Sequence, residues 1–267
     1  MSIFNFKGGS GECPVISPET LAEQVRLFGF IPFFENVIEG YSIEELTPRE
    51  CWLADENFGP WDWKVDVLRS GDIAYGKFLL GGKASFATAE WYRDIMNYKR
   101  SLPRHRADGQ DRQIYEAICS SGSIMPSELR KMFKLKKSRI DACLTRLMND
   151  TLVVIGDIQR VYRGSDLNYN GWQRSSVCRP EDLFGYDAVP DASASPVDAY
   201  AFHSAPDSSS GAFPSAPAPA NIFERVLGET PVCAFSRTPE ESYERLRSRI
   251  LSFFPQAGDK QIGEILK

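Results

Sequence analysis

Between residues 112 and 163 the spacing of apolar positions predicts three helices followed by extended chain. Ile114, Ala117 and Ile118 recur at i, i+3, i+4 and give a first helix one apolar stripe, which Gly122 ends. Pro126 suits the first position of a second helix, residues 127–133, whose Leu129, Met132 and Phe133 can face the first. Ser138 followed by Asp141 is a capping signature, and it opens a third helix running to Asn149. Along that helix Ile140, Cys143, Leu144, Leu147 and Met148 share one face, while Ser138, Ala142, Thr145, Arg146 and Asn149 fall on the opposite one. Residues 152–155, then Gly156-Asp157, then residues 158–162 read as two β-rich runs joined at a turn. Helices and ribbon in this order make a winged helix-turn-helix, with the third helix divided as a recognition helix is.

The flanking segments are patterned too. Ser17-Pro18-Glu19 starts a helix carrying Leu21, Val25 and Leu27 or Phe28, and Gly29 stops it. Gly29-Phe30-Ile31-Pro32-Phe33-Phe34 is too aromatic for a solvent loop. Residues 42–46 form one helical turn, and Thr47-Pro48-Arg49-Glu50 is a capping box opening another. Residues 73–78 and 84–86 read as hairpin strands around residues 79–83, and a helix over 88–100 that carries Trp91, Tyr92 and Tyr98 closes the module. Beyond the winged helix come a strand-like run at 169–177 and a short helix at 180–183. Residues 189–222 collapse to Ala, Ser, Pro and Asp and are expected to be a disordered insertion, since they cannot bury enough apolar area to offset chain entropy. Pro239-Glu240-Glu241 then starts a helix with Tyr243, Leu246, Ile250 and Leu251 on one face. A last helix spans 259–266, and both are expected to dock back on the core.

Charge sharpens the picture. Residues 99–146 hold twelve Lys or Arg against five acids, about +7 in a chain of net charge −5. Lys131, Lys134, Lys136, Lys137 and Arg139 lie around the turn into the third helix, Arg146 lies on that helix, and Arg160 and Arg163 lie on the wing. These are the positions where a winged helix meets phosphate, so double-stranded DNA is the expected partner. The plainer alternative is a solubilising surface.

At 267 residues and 42% hydrophobic the chain can bury sizeable cores. It has no run of about 18 apolar residues and no apolar leader near Met1, so no membrane span is expected and the location is expected to be cytoplasmic. The six cysteines are scattered without a C-x-x-C pair and only His105 and His203 are present, so neither a metal site nor a cofactor is expected. A monomer is expected.

Pro60-Trp61-Asp62-Trp63-Lys64 is the most pocket-like cluster that remains. Trp61 and Trp63 could stack on a base, with Lys64 alongside, and Asp62 or Glu35 could direct water as a catalytic carboxylate. If the segment is a strand, the indoles and the carboxylate point to opposite faces. The alternative is that both Trp fill the core and Asp62 is a surface residue or a cap.

The run Tyr75-Gly76-Lys77 through Lys83-Ala84-Ser85-Phe86-Ala87-Thr88, then Trp91-Tyr92 and Tyr98-Lys99-Arg100, resembles the winged-helix DNA glycosylases of the AlkZ/YcaQ type. Gln159-Arg160-Val161-Tyr162 is similar to their wing strand. Residues 29–34, 60–64, 74–78 and 183–186 resemble the bacterial AlkZ-related proteins in particular. The likeness covers roughly residues 17 to 186 plus the C-terminal helices. It implies tandem winged-helix architecture, DNA contact and a link to removal of alkylated or crosslinked bases. The enzymes of that type carry a Gln-x-Gln or Gln-x-Asp motif after the first helix. Here the matching neighbourhood, Phe30-Ile31-Pro32-Phe33, has no polar side chain, and the family's hairpin His is missing around Gly82-Lys83. No catalytic residue is therefore carried over.

The expectation is an α+β fold of tandem winged-helix-like modules. It divides into a flexible segment 1–16, a glycosylase-like module 17–106, the winged helix 107–188, the insertion 189–222 and C-terminal helices 223–267. Three functions stay open: DNA binding without base excision, excision through non-standard residues, and protein binding by the winged helix.

Overall fold

A computed structural model describes residues 14–53, 59–102, 107–163, 165, 167–185 and 236–267. The expected insertion at 189–222 and most of the N-terminal segment lie outside these residues, as do His105 and His203. The described chain is mixed helix and strand with two antiparallel sheets of three strands each.

The first half builds one sheet with helices around it. Helix α1 (Pro18–Phe28) is capped by Ser17, whose Oγ accepts from the Thr20 amide. It buries Leu21, Val25 and Phe28 and leaves Leu27 exposed. Gly29 ends it at φ 83°, and a Cβ there would lie 2.5 Å from the Trp91 indole. Strand β1 (Phe30–Pro32) is fully buried. Two short helices follow, α2 (Ile43–Leu46) and α3 (Glu50–Leu53), and then α4 (Gly59–Leu68), β2 (Ile73–Leu79), β3 (Lys83–Thr88) and α5 (Ala89–Ser101). The sheet order is β1-β3-β2, with Phe30 opposite Ala87 and Tyr75 opposite Phe86.

Two local expectations are corrected here. The capping box expected at Thr47 is not found among the described residues; the Thr47 hydroxyl donates backward to the Ile43 carbonyl at 2.7 Å and closes α2. Residues 60–64 are helical, so the opposed strand faces do not arise. Pro60 fits the first turn of α4, and Trp63, Val65 and Val67 are all buried because the helix packs against α1, α3 and β2.

The second half comprises α6 (Gly109–Ser121), β4 (Ser123–Ile124), α7 (Pro126–Phe133), α8 (Lys137–Asn149), β5 (Val154–Arg163), β6 (Asn168–Cys178) and α9 (Pro180–Phe184). Ile114, Ile118, Leu129, Ile140, Leu147, Val153 and Val177 share its core. Helix α8 starts before Ser138, which makes no cap. The turn expected at Gly156-Asp157 is absent, and both residues lie inside β5. Ile155 pairs with Val177 and Ile158 with Ser175, so β5 absorbs one extra residue as a bulge. Gly156 is needed there because a Cβ would sit 2.8 Å from Cys178 Sγ. The hairpin partner of β5 is β6, and the sheet order is β4-β6-β5.

Helices α10 (Pro239–Phe253) and α11 (Asp259–Ile265) add Leu246, Ile250, Ile262 and Ile265 to the core of the first half. The fully buried Asp94 of α5 holds α10 in place. It accepts from Arg237 at 2.9 Å, from the Ser242 hydroxyl at 2.9 Å and from Arg245.

Candidate nucleic-acid interface

The turn between α7 and α8 is built to present positive charge. Lys134 ends α7 in the left-handed conformation, φ 52° and ψ 36°, and its amide donates to the Arg130 carbonyl. Leu135 packs on the core beneath, which turns its neighbours outward. Arg130, Lys131, Lys134, Lys136, Lys137 and Arg139 are all exposed, and none forms a salt bridge among the described residues. No side chain caps α8, and its first turn holds no acid. The positive end of the helix dipole therefore coincides with unpaired cations, an arrangement that costs the isolated fold a few tenths of a kcal/mol per charge and that an anion relieves.

The other end of α8 is covered. The Lys77 amine donates to Thr145 Oγ1 at 3.0 Å, and the buried Lys99 amine donates to Asn149 Oδ1 at 2.9 Å. Arg146 forms a two-point pair with Asp111 at 2.6 and 2.8 Å. Three residues of the face expected to point outward thus touch this chain's own side chains. The open part is Lys136 to Ala142.

Arg160 points at α4 instead of at solvent. Its guanidinium donates to Asp62 at 2.8 and 3.0 Å and to Asp66 at 2.5 and 3.0 Å, because residues 62 and 66 share one helix face. Asp62 also accepts from Gln173 at 2.9 Å and from the Tyr169 hydroxyl. Burial disfavours ionisation of Asp62, yet the hydrogen bonds from Arg160, Tyr169 and Gln173 outweigh it and hold the carboxyl below its ordinary value. A carboxylate so occupied is a poor proton acceptor for attacking water.

On the next face of α4 lie Trp61 and Lys64. Trp61 is 46% exposed and meets Phe33 edge-on at 5.3 Å and Phe34 at 6.3 Å. The Lys64 amine lies 3.8 Å from the Trp61 ring centre and donates to the Trp61 carbonyl at 2.6 Å. Burial pushes its pKa down to about 8 against the pull of Asp62. Trp63 is in the core. Glu35 is exposed next to Phe34, and its amide donates to Glu44 at 2.9 Å.

At the far end of the β5–β6 hairpin, Arg163 is exposed and lies 5.3 Å from the ring centre of Trp172. Trp172 and Tyr162 are 60% and 55% exposed. The sequence reading did not single out Arg130, Asp66, Tyr169, Trp172 or Gln173. Only Arg130 left a local signal there, one helical turn before Lys134.

A family model described as AlkZ related matches residues 15–204. Comparison with curated proteins gives no match, and neither does comparison with solved structures. The family match takes in α1 to α9, the sheet of the first half and the whole basic turn, and it spans well over half of the chain. The chain therefore belongs to the AlkZ-related family.

Proposed function

We propose that this chain is a DNA-binding protein of glycosylase-like ancestry that holds duplex DNA chiefly by its phosphates. In this reading α6, α7 and α8 with the β5–β6 hairpin act as a winged helix. The uncapped start of α8 sits on the backbone with Lys131, Lys134, Lys136, Lys137 and Arg139 around it, and Arg163 makes a further contact from the wing. The observation that carries the reading is the cluster of unpaired cations at that helix start. Arg146 and Arg160 are assigned to internal support, since each is held by carboxylates. With Thr145 and Asn149 engaged inside the molecule, few side chains remain to read base edges, so sequence preference is weak. The family relationship supports a repair setting.

Base excision through Asp62 is disfavoured by its four donors, which leaves Glu35 as the more accessible carboxylate near the aromatic face. Reversal of two charges, Lys136→Glu with Lys137→Glu, tests the binding reading. The double variant should bind any duplex at least tenfold more weakly. Unchanged affinity would remove the α8 surface from the proposal.

A further inference from the structure

We infer that the turn between β2 and β3 is a second phosphate-binding element, and that Lys83 on it holds the strand of a DNA duplex opposite the one gripped at the start of α8. The inference rests on the proposed DNA grip and assigns the second strand of the same duplex to the first half of the molecule.

The turn lies on the outer face of α8. Gly82 packs so closely there that a Cβ would sit 3.0 Å from the Thr145 methyl carbon and 4.0 Å from Asn149 Cβ. The Lys77 amine, donating to Thr145 Oγ1 at 3.0 Å, pins the adjoining strand to the same residue. Leu80, Gly81 and Gly82 all have positive φ, at 51°, 65° and 100°, a course that glycine follows easily and leucine only under strain. The Leu80 amide also donates to the Ile265 carbonyl at 2.9 Å, so α8 and the end of α11 hold the turn from two sides.

The turn stops short of the open start of the helix. Ser138, Asp141 and Ala142 remain exposed in front of it, and helix and turn meet as the floor and wall of a corner. The wall is positive, since residues 73–88 carry Lys77 and Lys83 and no acid. Lys83 is exposed and forms no salt bridge among the described residues. Gly81 is exposed as well, with open space where a Cβ would stand, so a ligand can approach the backbone closely.

The spacing of the two cation groups selects the ligand. From Lys137 to Thr145 the helix rises by about 12 Å, close to the width of the major groove of B-DNA. One phosphate cannot reach both groups, whereas the two backbones that border a groove can. Asp141, the one acid of α8, stands between the groups and repels phosphate to either side. A single strand offers one backbone and is held at α8 alone. As a further phosphate contact Lys83 brings the wild-type slope of log affinity against log salt to about −6.

Fluorescence anisotropy with a duplex and with a single strand of equal length tests this on the wild type, Lys83→Glu and Arg49→Glu. Arg49 is exposed ahead of α3, outside both cation groups, and its reversal changes the net charge equally. Lys83→Glu should weaken duplex binding about fivefold or more and flatten the salt slope by about 1, while single-strand binding changes less than about twofold. Lys83→Ala should flatten the slope in the same way at the wild-type melting temperature, which separates lost contact from lost folding. Equal weakening by Lys83→Glu and Arg49→Glu, an unaltered slope, or an equal loss on duplex and single strand would overturn the inference. Lys136→Glu with Lys137→Glu separates the two readings. Loss of duplex by that double variant and retention by Lys83→Glu defeats only the second contact, whereas a double variant that binds as the wild type does defeats the grip itself.

Discussion

The Arg160 guanidinium meets the Asp62 carboxylate at 2.8 and 3.0 Å although 98 positions separate them in sequence. This pair, with Asp66, fastens the β5–β6 hairpin to α4 and so joins the two halves of the molecule. The chain uses as a brace an arginine whose position on the expected wing suggested a phosphate contact.

Loss of the brace should be costly. Arg160→Ala leaves Asp62 without its cation and Asp66 with only the exposed Arg69 at 3.3 Å, and a mostly buried pair broken this way costs about 3 kcal/mol. Asp66→Asn, at a carboxylate 34% exposed, should cost about 1 kcal/mol or less. Urea unfolding midpoints measure both, and equal losses would contradict the account.

The same pair shapes acid stability. Asp62 has a folded pKa below its ordinary 3.8, so its contribution is fully present above that value and is lost as pH falls through the lower folded value. Unfolding free energy should therefore drop below about pH 4 more steeply in the wild type than in Asp62→Asn. Parallel acid limbs would show that the carboxylate is not held in its charged form.

Lys64 acts in the opposite pH range. Its pKa falls from 10.5 to about 8 on folding, so between these values the unfolded chain binds more protons and stability rises with pH. A gain of about 1–3 kcal/mol from pH 7.5 to 10 is expected in the wild type relative to Lys64→Met. Chemical denaturation at several pH values gives the difference, and identical slopes would place the amine in a wetter site than the one described.

Asp94 should be the anchor of α10. Asp94→Ala leaves Arg237 and Arg245 without their shared carboxylate and should cost about 3 kcal/mol. Amide exchange should rise in α10 before it rises in α8. A uniform rise across both helices would mean that Asp94 supports the whole fold and not this one contact.

Local pattern carried much of the fold. Ile114 with Ile118, and Ile140 with Leu144 and Leu147, announce their helices because those contacts repeat within a few residues. Segment 60–64 was ambiguous because α4 is buried on several sides, so Trp63, Val65 and Val67 alternate as a strand's residues would. The turn expected at Gly156-Asp157 gave way to the longer pairing of β5 with β6, which a bulge preserves. At the candidate site, the exposure of Lys136 and Lys137 followed from the apolar face of α8 and from Leu135. The fates of Arg160, Arg146 and Thr145 did not, since each is decided by a partner distant in sequence: Asp62, Asp111 and Lys77.

The most direct test of the proposed DNA grip is the salt dependence of affinity for undamaged duplex, measured by fluorescence anisotropy for the wild type and for Lys136→Glu with Lys137→Glu. Five phosphate contacts around the start of α8 and one from Arg163 predict a slope of log affinity against log salt of about −5 to −6, and loss of two contacts should flatten it by about 2. Binding with no dependence on salt, or a slope unaltered by the double substitution, would contradict the account.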